Sequence, residues 1–302
     1  MLFGDYHFIF HFTDDAILPS YKGSTLRGVF GRALKRVVCV LRRQECIDCL
    51  LKGRCLYALS FETANVPPPF VLEPSLADNT HFSKDEIIDF HLLLFGEINK
   101  SLPYIIYALK EAQGLPVGKG INGKKAGLNL REVRRDGRII YSDDKQTINT
   151  KDLYYELKMS LLNEGKKKDI LRLKINLITP LRLKFRNKLK ADLPFHVLIR
   201  AVLRRISSLF SYYGEGEPKL DYKGLVKRAE SVKTAESNID WFDWRRYSFR
   251  QDQAMLMGGI IGSVTYEGDI SEFIPLIELC EKLHIGKQTS FGLGKIKAKL
   301  LT

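Results

Sequence analysis

The sequence predicts an α+β protein built from two tandem βαββαβ units, the ferredoxin-like (RRM-like) arrangement. Strand-like and helix-like segments follow one another in the same order in both halves of the 302-residue chain. Each half ends with a helix, a glycine-rich segment and a strand, and the two glycine-rich segments are GKGINGKKAGLNLREV and IGKQTSFGLGKIKAKL. We therefore expect a first domain over residues 1–165 and a second over 170–302, joined by the lysine run Lys166–Lys168.

The first half opens with an alternating strand and an amphipathic helix. Between Phe3 and Phe12 every second residue from Tyr6 is aromatic, which predicts a strand with one core face and with His7 and His11 on the other. The stretch YKGSTLRGVFGRALKRVV then predicts a helix with a basic outer face. A cysteine-containing insertion, a strand around FHLLLFGEI, a helix over about 102–112 and a hairpin turning at Asp136-Gly137 complete the first half.

The second half repeats this order. Residues 171–185 are strand-like, and residues 193–213 predict a helix with Arg200, Arg204 and Arg205 on its outer face. A further helix, the glycine-rich loop and a last strand follow. The two glycine-rich segments therefore occupy equivalent positions in the two units, each between a helix and the strand that follows it.

The composition predicts a folded protein that binds polyanions. Hydrophobic residues make up 45% of the chain, and 48 Lys and Arg against 35 Asp and Glu give a formal charge of +13. An excess of this size favours salt-sensitive binding to phosphates. The sequence has no run of about 18 apolar residues and does not begin like a secretory leader, so we expect a cytoplasmic protein without membrane attachment.

The basic residues concentrate on predicted strands. Residues 166–190 contain ten basic residues and one acidic residue, Asp169, and from Leu181 to Lys190 apolar and cationic residues alternate. Since strand side chains have a period of two, these cations share one face. A solvated linker explains only the first three lysines. An open basic sheet favours RNA over duplex DNA, and a strand is a poor anchor for an anionic membrane.

The cysteines leave three alternatives open. Cys39, Cys46, Cys49 and Cys55 have the spacing C-x6-C-x2-C-x5-C, and the CxxC centre can bind one ion. The first and last spacings differ from those of familiar zinc fingers. A structural zinc site, an iron–sulfur cluster and reduced free thiols are all compatible with this pattern.

Two regions resemble a known family. WFDWRRYSFRQDQAMLMGGIIGSVTYEGD with FIPLIELCEKLHIGKQTSFGLGKIKA, and LPSYKGSTLRGVFGRALKRVVC with CLYALSFET, are similar to the CRISPR-associated endoribonucleases of the RAMP superfamily that process precursor CRISPR RNA. The resemblance implies tandem ferredoxin-like domains and metal-independent cleavage inside a CRISPR repeat, where a 2′-hydroxyl attacks the adjacent phosphate and leaves 2′,3′-cyclic phosphate and 5′-hydroxyl ends. It implies no catalytic cofactor, a CRISPR RNA partner, possible effector-complex partners, and a monomer or homodimer.

The resemblance also indicates which residues bind RNA. Glycines let the backbone approach a phosphate closely, and neighbouring cations neutralise its charge. Arginines interleaved with an aromatic residue suit phosphate contact and base stacking. The predicted RNA-binding residues are Gly286, Lys287, Gln288, Thr289, Ser290, Phe291, Gly292, Gly294 and Lys295 in the loop, with Arg182, Lys184, Arg186, Arg245, Arg246 and Arg250 elsewhere.

The catalytic residues are less evident because the helix that carries a histidine in much of this family has none here between residues 21 and 40. Tyr21, Lys22 and Arg27 remain as local substitutes, and His284 before the loop is the first candidate for acid or base chemistry. A role for His284 in capping a helix end is an equal alternative. Two other functions also fit the sequence: a non-catalytic RAMP subunit that binds guide RNA, and a zinc-stabilised RNA-binding module unrelated to CRISPR.

Overall fold

The computed structural model describes residues 1–121, 124, 126–158, 172–183, 192–248 and 253–301, and the backbone alone for 244–248 and 253–257. It is an α+β structure with antiparallel sheets, as predicted. The chain forms two compact units, Met1–Leu157 with Tyr212–Gly214, and Lys158–Ser211 with Glu215–Thr302. The expected boundary between 165 and 170 and the lysine run beside it lie outside the described residues.

The first unit contains a large antiparallel sheet. Strands β3-β5-β1-β7-β8-β9 lie in that order, β10 also pairs with β1, and β4-β2-β6 form a small second sheet. The elements are β1 (Leu2–Phe12), β2 (Ala16–Ile17), α1 (Gly23–Val38), α2 (Leu56–Phe61), β3 (Phe70–Pro74), β4 (His81–Phe82), β5 (Ile87–Phe95), α3 (Leu102–Lys110), β6 (Lys119–Gly120), β7 (Leu128–Arg135), β8 (Arg138–Ser142), β9 (Thr147–Ile148) and β10 (Tyr155–Glu156).

The aromatic face of β1 forms the centre of the first core, as its alternation predicts. Tyr6, Phe8, Phe10 and Phe12 are buried, and Phe90 of β5 stacks on two of these rings. The apolar stripes of α1 and α3 cover this face. Each buried aromatic side chain stabilises the unit by about 2–3 kcal/mol relative to exposure.

The hairpin between β7 and β8 turns where the sequence predicts. Asp136 and Gly137 have φ angles of 48° and 76°. Two consecutive left-handed residues are the requirement of a two-residue hairpin turn that matches strand twist, and Asp-Gly meets that requirement at low cost. The prediction is confirmed.

The second unit has a four-stranded antiparallel sheet in the order β12-β13-β11-β14. Its elements are β11 (Arg172–Leu181), α4 (Phe195–Tyr213), α5 (Tyr222–Ala229), β12 (Lys233–Ser248), β13 (Gln253–Glu267), α6 (Ile274–Leu283) and β14 (Ile296–Leu301). β11 is shorter than expected and ends at Leu181, one residue after Pro180, which cannot donate a backbone hydrogen bond to a neighbouring strand. Within the described ranges, no helix has both the length and the apolar character needed to cross a bilayer.

The prediction that Arg205 faces outward is wrong. This residue is 7% exposed, and its Nε donates to the carbonyl oxygen of Leu283 at 3.0 Å. It belongs to the buried stripe of α4 together with Val202 and Leu209. Its guanidinium satisfies a carbonyl at the C-terminal end of α6, where a helix leaves acceptors unpaired and favours positive charge.

Candidate nucleic-acid interface

The glycine-rich loop between α6 and β14 has a backbone that only glycine supports at several points. Gly286, Gly292 and Gly294 have φ angles of 85°, 85° and 76°. A Cβ atom on Gly294 would lie 1.8 Å from the carbonyl oxygen of Ile285. Positive φ combined with such a close backbone approach excludes other residues without a rearrangement. The glycines therefore serve the shape of the loop itself.

The loop is fixed to the end of β11 by hydrogen bonds. The amide of Lys287 donates to the carbonyl of Arg182 at 2.9 Å, and the amide of Gly294 donates to that of Pro180 at 3.1 Å. The hydroxyl of Thr179 donates to the carbonyl of Gly292 at 2.8 Å and accepts from the amide of Lys295 at 2.9 Å. The strand thus holds a preformed loop, with the side chain of Lys287 exposed.

The loop side chains divide into an inner and an outer set. Thr289 and Ser290 are each 5% exposed, so the structure places them inside the unit. Gln288, Phe291 and Lys295 are half-buried. The Oε1 atom of Gln288 is buried and has no hydrogen-bond partner within the described ranges. Direct contact with a ligand is open to Lys287 and the half-buried side chains, whereas Thr289 and Ser290 shape the loop.

The remaining predicted RNA-binding residues are only partly visible. The guanidinium of Arg182 donates to the carbonyl of Gly258 at 3.2 Å. Arg245 and Arg246 lie in β12, opposite Leu256 and Met255 of β13, with their side chains outside the description. The expectations for Lys184, Arg186 and Arg250 fall wholly outside the described residues.

His284 lies in the core and not at the surface. Its exposure is 0%, and its Nδ1 is 2.9 Å from the carbonyl oxygen of Leu293. Its backbone ends α6 with a φ of 57°, and its amide donates to the carbonyl of Cys280 at 3.1 Å. A side chain in this position joins the helix end to the loop and is closed to solvent in this structure. We therefore do not carry His284 into the catalytic set.

Lys22 is a buried cation at the start of α1. It is 2% exposed, and its Nζ donates to the carbonyls of Ser20 and Ala77 at 3.1 and 2.6 Å. The ammonium also lies 5.6 Å from the ring centroid of Phe82. Burial lowers the pKa of Lys22, and the carboxylate of Asp78 partly opposes this shift. The two carbonyls compensate a positive charge at a helix N-terminus, where the helix dipole disfavours it.

Tyr21 and Arg27 lie close to Lys22 in sequence and have different surroundings. Burial raises the pKa of Tyr21, and the nearby carboxylate of Glu73 raises it further. Tyr21 is therefore a hydrogen-bond donor at neutral pH. The guanidinium of Arg27 lies 4.9 Å from the ring centroid of Phe61 and 5.8 Å from that of Phe70. Cation–π contacts with these two rings therefore position the guanidinium beside the core of the first unit.

The cations on β11 and β14 alternate as predicted, but several are neutralised. Leu173, Ile175 and Leu177 are buried while the residues between them are partly exposed. Arg172 lies 3.5 Å from Glu236 and 4.0 Å from Glu267, and Lys297 lies 3.0 Å from Glu281, each distance joining nitrogen and carboxylate oxygen. Across the two strands, Lys174 lies directly opposite Lys299, and within the described part of the chain neither is in an ion pair.

Family models match both halves of the chain. A model described as CRISPR-associated endoribonuclease Cas6 matches residues 175–296, which contain β11 from Ile175 onward, the three helices of the second unit and the whole glycine-rich loop. A second model, described as an N-terminal domain, matches residues 1–153. Over residues 175–296 the chain is therefore similar to the Cas6 family.

Relatives of the chain support the fold over nearly its whole length. An uncharacterised protein of Archaeoglobus fulgidus is 26% identical over 289 residues, covering 92% of this chain and 91% of that protein. A solved Cas6 product complex has a TM-score of 0.61 at 15% identity, covering 98% of this chain and all of that one. A partial Cas6-RT-Cas1–Cas2 complex has a TM-score of 0.59 at 11% identity, covering 99% of this chain and 46% of that one. At these identities the structural likeness concerns the fold.

Sequence reasoning missed a pair of histidines on neighbouring strands of the first unit. His7 and His91 are opposite each other on β1 and β5, with ring centroids 4.5 Å apart and planes 10° from parallel. Asp89 accepts from His7 and Asp5 from His91, each at 2.7 Å between nitrogen and oxygen. The pair lies on the sheet face opposite the aromatic core. The alternation of β1 placed His7 on that face, but the cross-strand register needed to identify its partner is a tertiary property.

The four clustered cysteines do not form a metal site in the described structure. All are free thiols and partly buried. Burial raises the pKa of Cys46, with the neighbouring Lys35 opposing and Cys39 and Cys55 adding to the shift. Among the residues that the structure describes, no group of three or more His, Cys, Asp or Glu is arranged to hold an ion. The structural zinc stays a prediction from the sequence.

Proposed function

We propose that this chain is a Cas6-type, metal-independent endoribonuclease that cuts precursor CRISPR RNA within its repeats. The 2′-oxygen forms a bond to the adjacent phosphorus as its proton passes to a base, and the bond from phosphorus to the 5′-oxygen breaks as that oxygen takes up a proton. The products carry a 2′,3′-cyclic phosphate and a 5′-hydroxyl. The observation that carries this proposal is the Cas6 match over residues 175–296, because it spans the preformed loop and the strand that holds it.

The fold supports the family's two-domain plan. Four strands of the large first sheet lie in the order β3-β5-β1-β7, and those of the second unit in the order β12-β13-β11-β14. When the four strands of each set are counted along the chain, both orders read second, third, first, fourth. In each unit a helix follows the first strand and another precedes the last. We interpret both units as ferredoxin-like, with the cysteine-containing segment inserted after α1 of the first.

The loop and the strand cations are the proposed RNA contacts. The glycines fix the shape of the loop, and Lys287 and Lys295 supply positive charge on it for a phosphate. Lys174 and Lys299 add charge on the outward face of the sheet. The arginines predicted from the sequence, Arg182, Arg245, Arg246 and Arg250, together with Lys184 and Arg186, complete the proposed set.

Tyr21, Lys22 and Arg27 are the proposed catalytic group. An amine with a lowered pKa gives up its proton more readily, so Lys22 suits a base once RNA displaces its carbonyl partners. Tyr21 stays protonated and can donate to the leaving oxygen. The guanidinium of Arg27 suits the extra charge that develops on the phosphorane.

A second candidate function is a non-catalytic RNA-binding subunit of a CRISPR interference complex. The burial of His284 and of Lys22 favours it, as does the absence of histidine over residues 21–40. Either function places the chain in the cytoplasm with CRISPR RNA, and the subunit function adds other effector proteins as partners.

Incubation of the chain with end-labelled repeat RNA in EDTA separates these functions. Cleavage at one position with a cyclic-phosphate end supports the nuclease, and a 2′-deoxy nucleotide before the cut should abolish it. Tight binding without any product refutes the nuclease and supports the subunit. Equal affinity for repeat and scrambled RNA contradicts both and favours a general RNA-binding module.

A further inference from the structure

A cavity of about 230 Å³ lies within the second unit between α4 and α5. Arg200, Leu203 and Arg204 recur along one face of α4 at spacings of three and four residues, and Tyr222 and Val226 lie one turn apart on α5. Pockets for drug-sized ligands usually measure about 300–1,000 Å³. This cavity therefore suits a smaller group, of the size of a single nucleobase.

Two of the residues that line the cavity are exposed cations. Arg200 and Arg204 are exposed, and within the described part of the chain neither makes an ion pair. Like charges four residues apart on a helix repel and do not stabilise it. Arg228 of α5 is different, because Glu272 receives its guanidinium through two contacts of 2.7 and 2.8 Å. Both guanidinium groups are thus exposed at the cavity without a carboxylate partner in the described part of the chain, as a phosphate-binding pair requires.

The lining of the cavity combines apolar surface with the carboxylate of Glu217, which is exposed and hydrogen-bonded to Ser207. The hydroxyl of Tyr222 donates to the carbonyl of Pro218 at 2.9 Å, which leaves the ring as part of the wall. The hydroxyl of Ser207 donates to one oxygen of Glu217 at 2.6 Å. The carboxylate can accept an N–H from a base, and it disfavours an acidic peptide at the same place.

We propose that this cavity binds one unpaired nucleotide of an RNA strand. Arg200 and Arg204 hold its phosphate, the base lies against Tyr222 and Val226, and Glu217 accepts an N–H of the base. This assignment rests on the proposed RNA-binding function and extends it, since these residues are separate from the glycine-rich loop and the strand cations. It gives the chain a second RNA contact on its helical side.

A charge-matched pair of variants tests the assignment. Arg200→Ala with Arg204→Ala removes two charges from the cavity, whereas Lys219→Ala with Lys223→Ala removes two exposed charges nearby that do not line it. Affinity for repeat RNA with a single-stranded flank is measured by fluorescence anisotropy at several salt concentrations. We expect the arginine pair to bind about tenfold more weakly, with a salt slope lower by about 1.4, and the lysine pair to change affinity less than about twofold. If the arginine and lysine double variants lose RNA affinity equally, the assignment is overturned.

A second measurement uses the unaltered protein, so it does not depend on how the variants fold. Abasic substitution along the flank should weaken binding at one position. If binding is the same at every position, the assignment is overturned.

Two variants of Tyr222 test the wall of the cavity. Tyr222→Phe should retain affinity, and Tyr222→Ala should lose it without changing the salt slope. If adenosine or guanosine monophosphate binds and the arginine double variant keeps the RNA affinity of the wild type, the cavity binds a free nucleotide and not an RNA strand. Failure of the wild type to bind any repeat RNA refutes the proposed function as well, whereas normal cleavage with equal losses refutes only the cavity.

Discussion

Thr179 links β11 to the glycine-rich loop through a single hydroxyl, so its replacement by valine tests how the loop is held. The side chain is 3% exposed, and it bonds both the carbonyl of Gly292 and the amide of Lys295. Thr179→Val keeps the shape but leaves one acceptor and one donor without this partner. Each buried unsatisfied group costs about 1–3 kcal/mol, so we expect the loss of both bonds to lower the free energy of unfolding of the second unit by about 2–6 kcal/mol.

Urea unfolding followed by tryptophan fluorescence measures this loss, because both tryptophans of the chain, Trp241 and Trp244, lie in β12 of the second unit. Hydrogen exchange of the peptide over residues 286–296 should accelerate in the same variant, and affinity for repeat RNA should fall. Thr179→Ser is the matched control, since it keeps the hydroxyl and should lie near the wild type. A valine variant as stable as the serine variant would show that the hydroxyl does not hold the loop.

Three further predictions follow from the site. His284→Ala should destabilise the second unit by about 2–4 kcal/mol in the same urea assay, because it empties a buried position and removes a partner of a carbonyl; slower cleavage at unchanged stability would contradict this. Burial lowers the pKa of Lys22 below its usual 10.5, so the unfolded chain binds more protons between the two values and stability rises with pH through that window. Lys22→Met should lack this rise in thermal midpoints taken from roughly pH 8 to 11, and an unchanged profile would count against the lowered pKa. The double variant Lys174→Ala, Lys299→Ala should have a free energy of unfolding higher by a few tenths of a kcal/mol, because two facing like charges are removed, and should bind RNA more weakly. A decrease in both stability and RNA affinity would indicate a structural role for these lysines.

The elements that sequence reasoning identified are those whose pattern is local. The aromatic alternation of β1 fixes its core face, and the Asp136-Gly137 pair fixes the turn between β7 and β8. Both depend on residues within a few positions of one another. The end of β11 was less predictable because the alternating pattern continues past Leu181, whereas Pro180 interrupts the backbone pairing.

Arg205 and His284 show why the site was harder to predict. Arg205 donates to the carbonyl of Leu283, and His284, which follows Leu283 in the chain, contacts the carbonyl of Leu293. Every residue carries a carbonyl, so a sequence gives no signal that a particular one needs a distant side chain. An arginine on a helix is usually exposed, but both side chains are buried here beside the carbonyls that they contact.

The same reasoning changes the meaning of the net charge. A formal charge of +13 counts Arg172, Arg228 and Lys297 equally with Lys174 and Lys299, but carboxylates from distant segments already neutralise the first three. A cation in an ion pair must give up that partner before it can neutralise a phosphate, so it contributes less to binding than an unpaired one. RNA affinity should therefore follow the placement of cations that have no carboxylate beside them. In the described part of the second unit these include facing lysines on the outer sheet and two arginines at the α4 cavity, which is a more specific basis for RNA binding than the total charge.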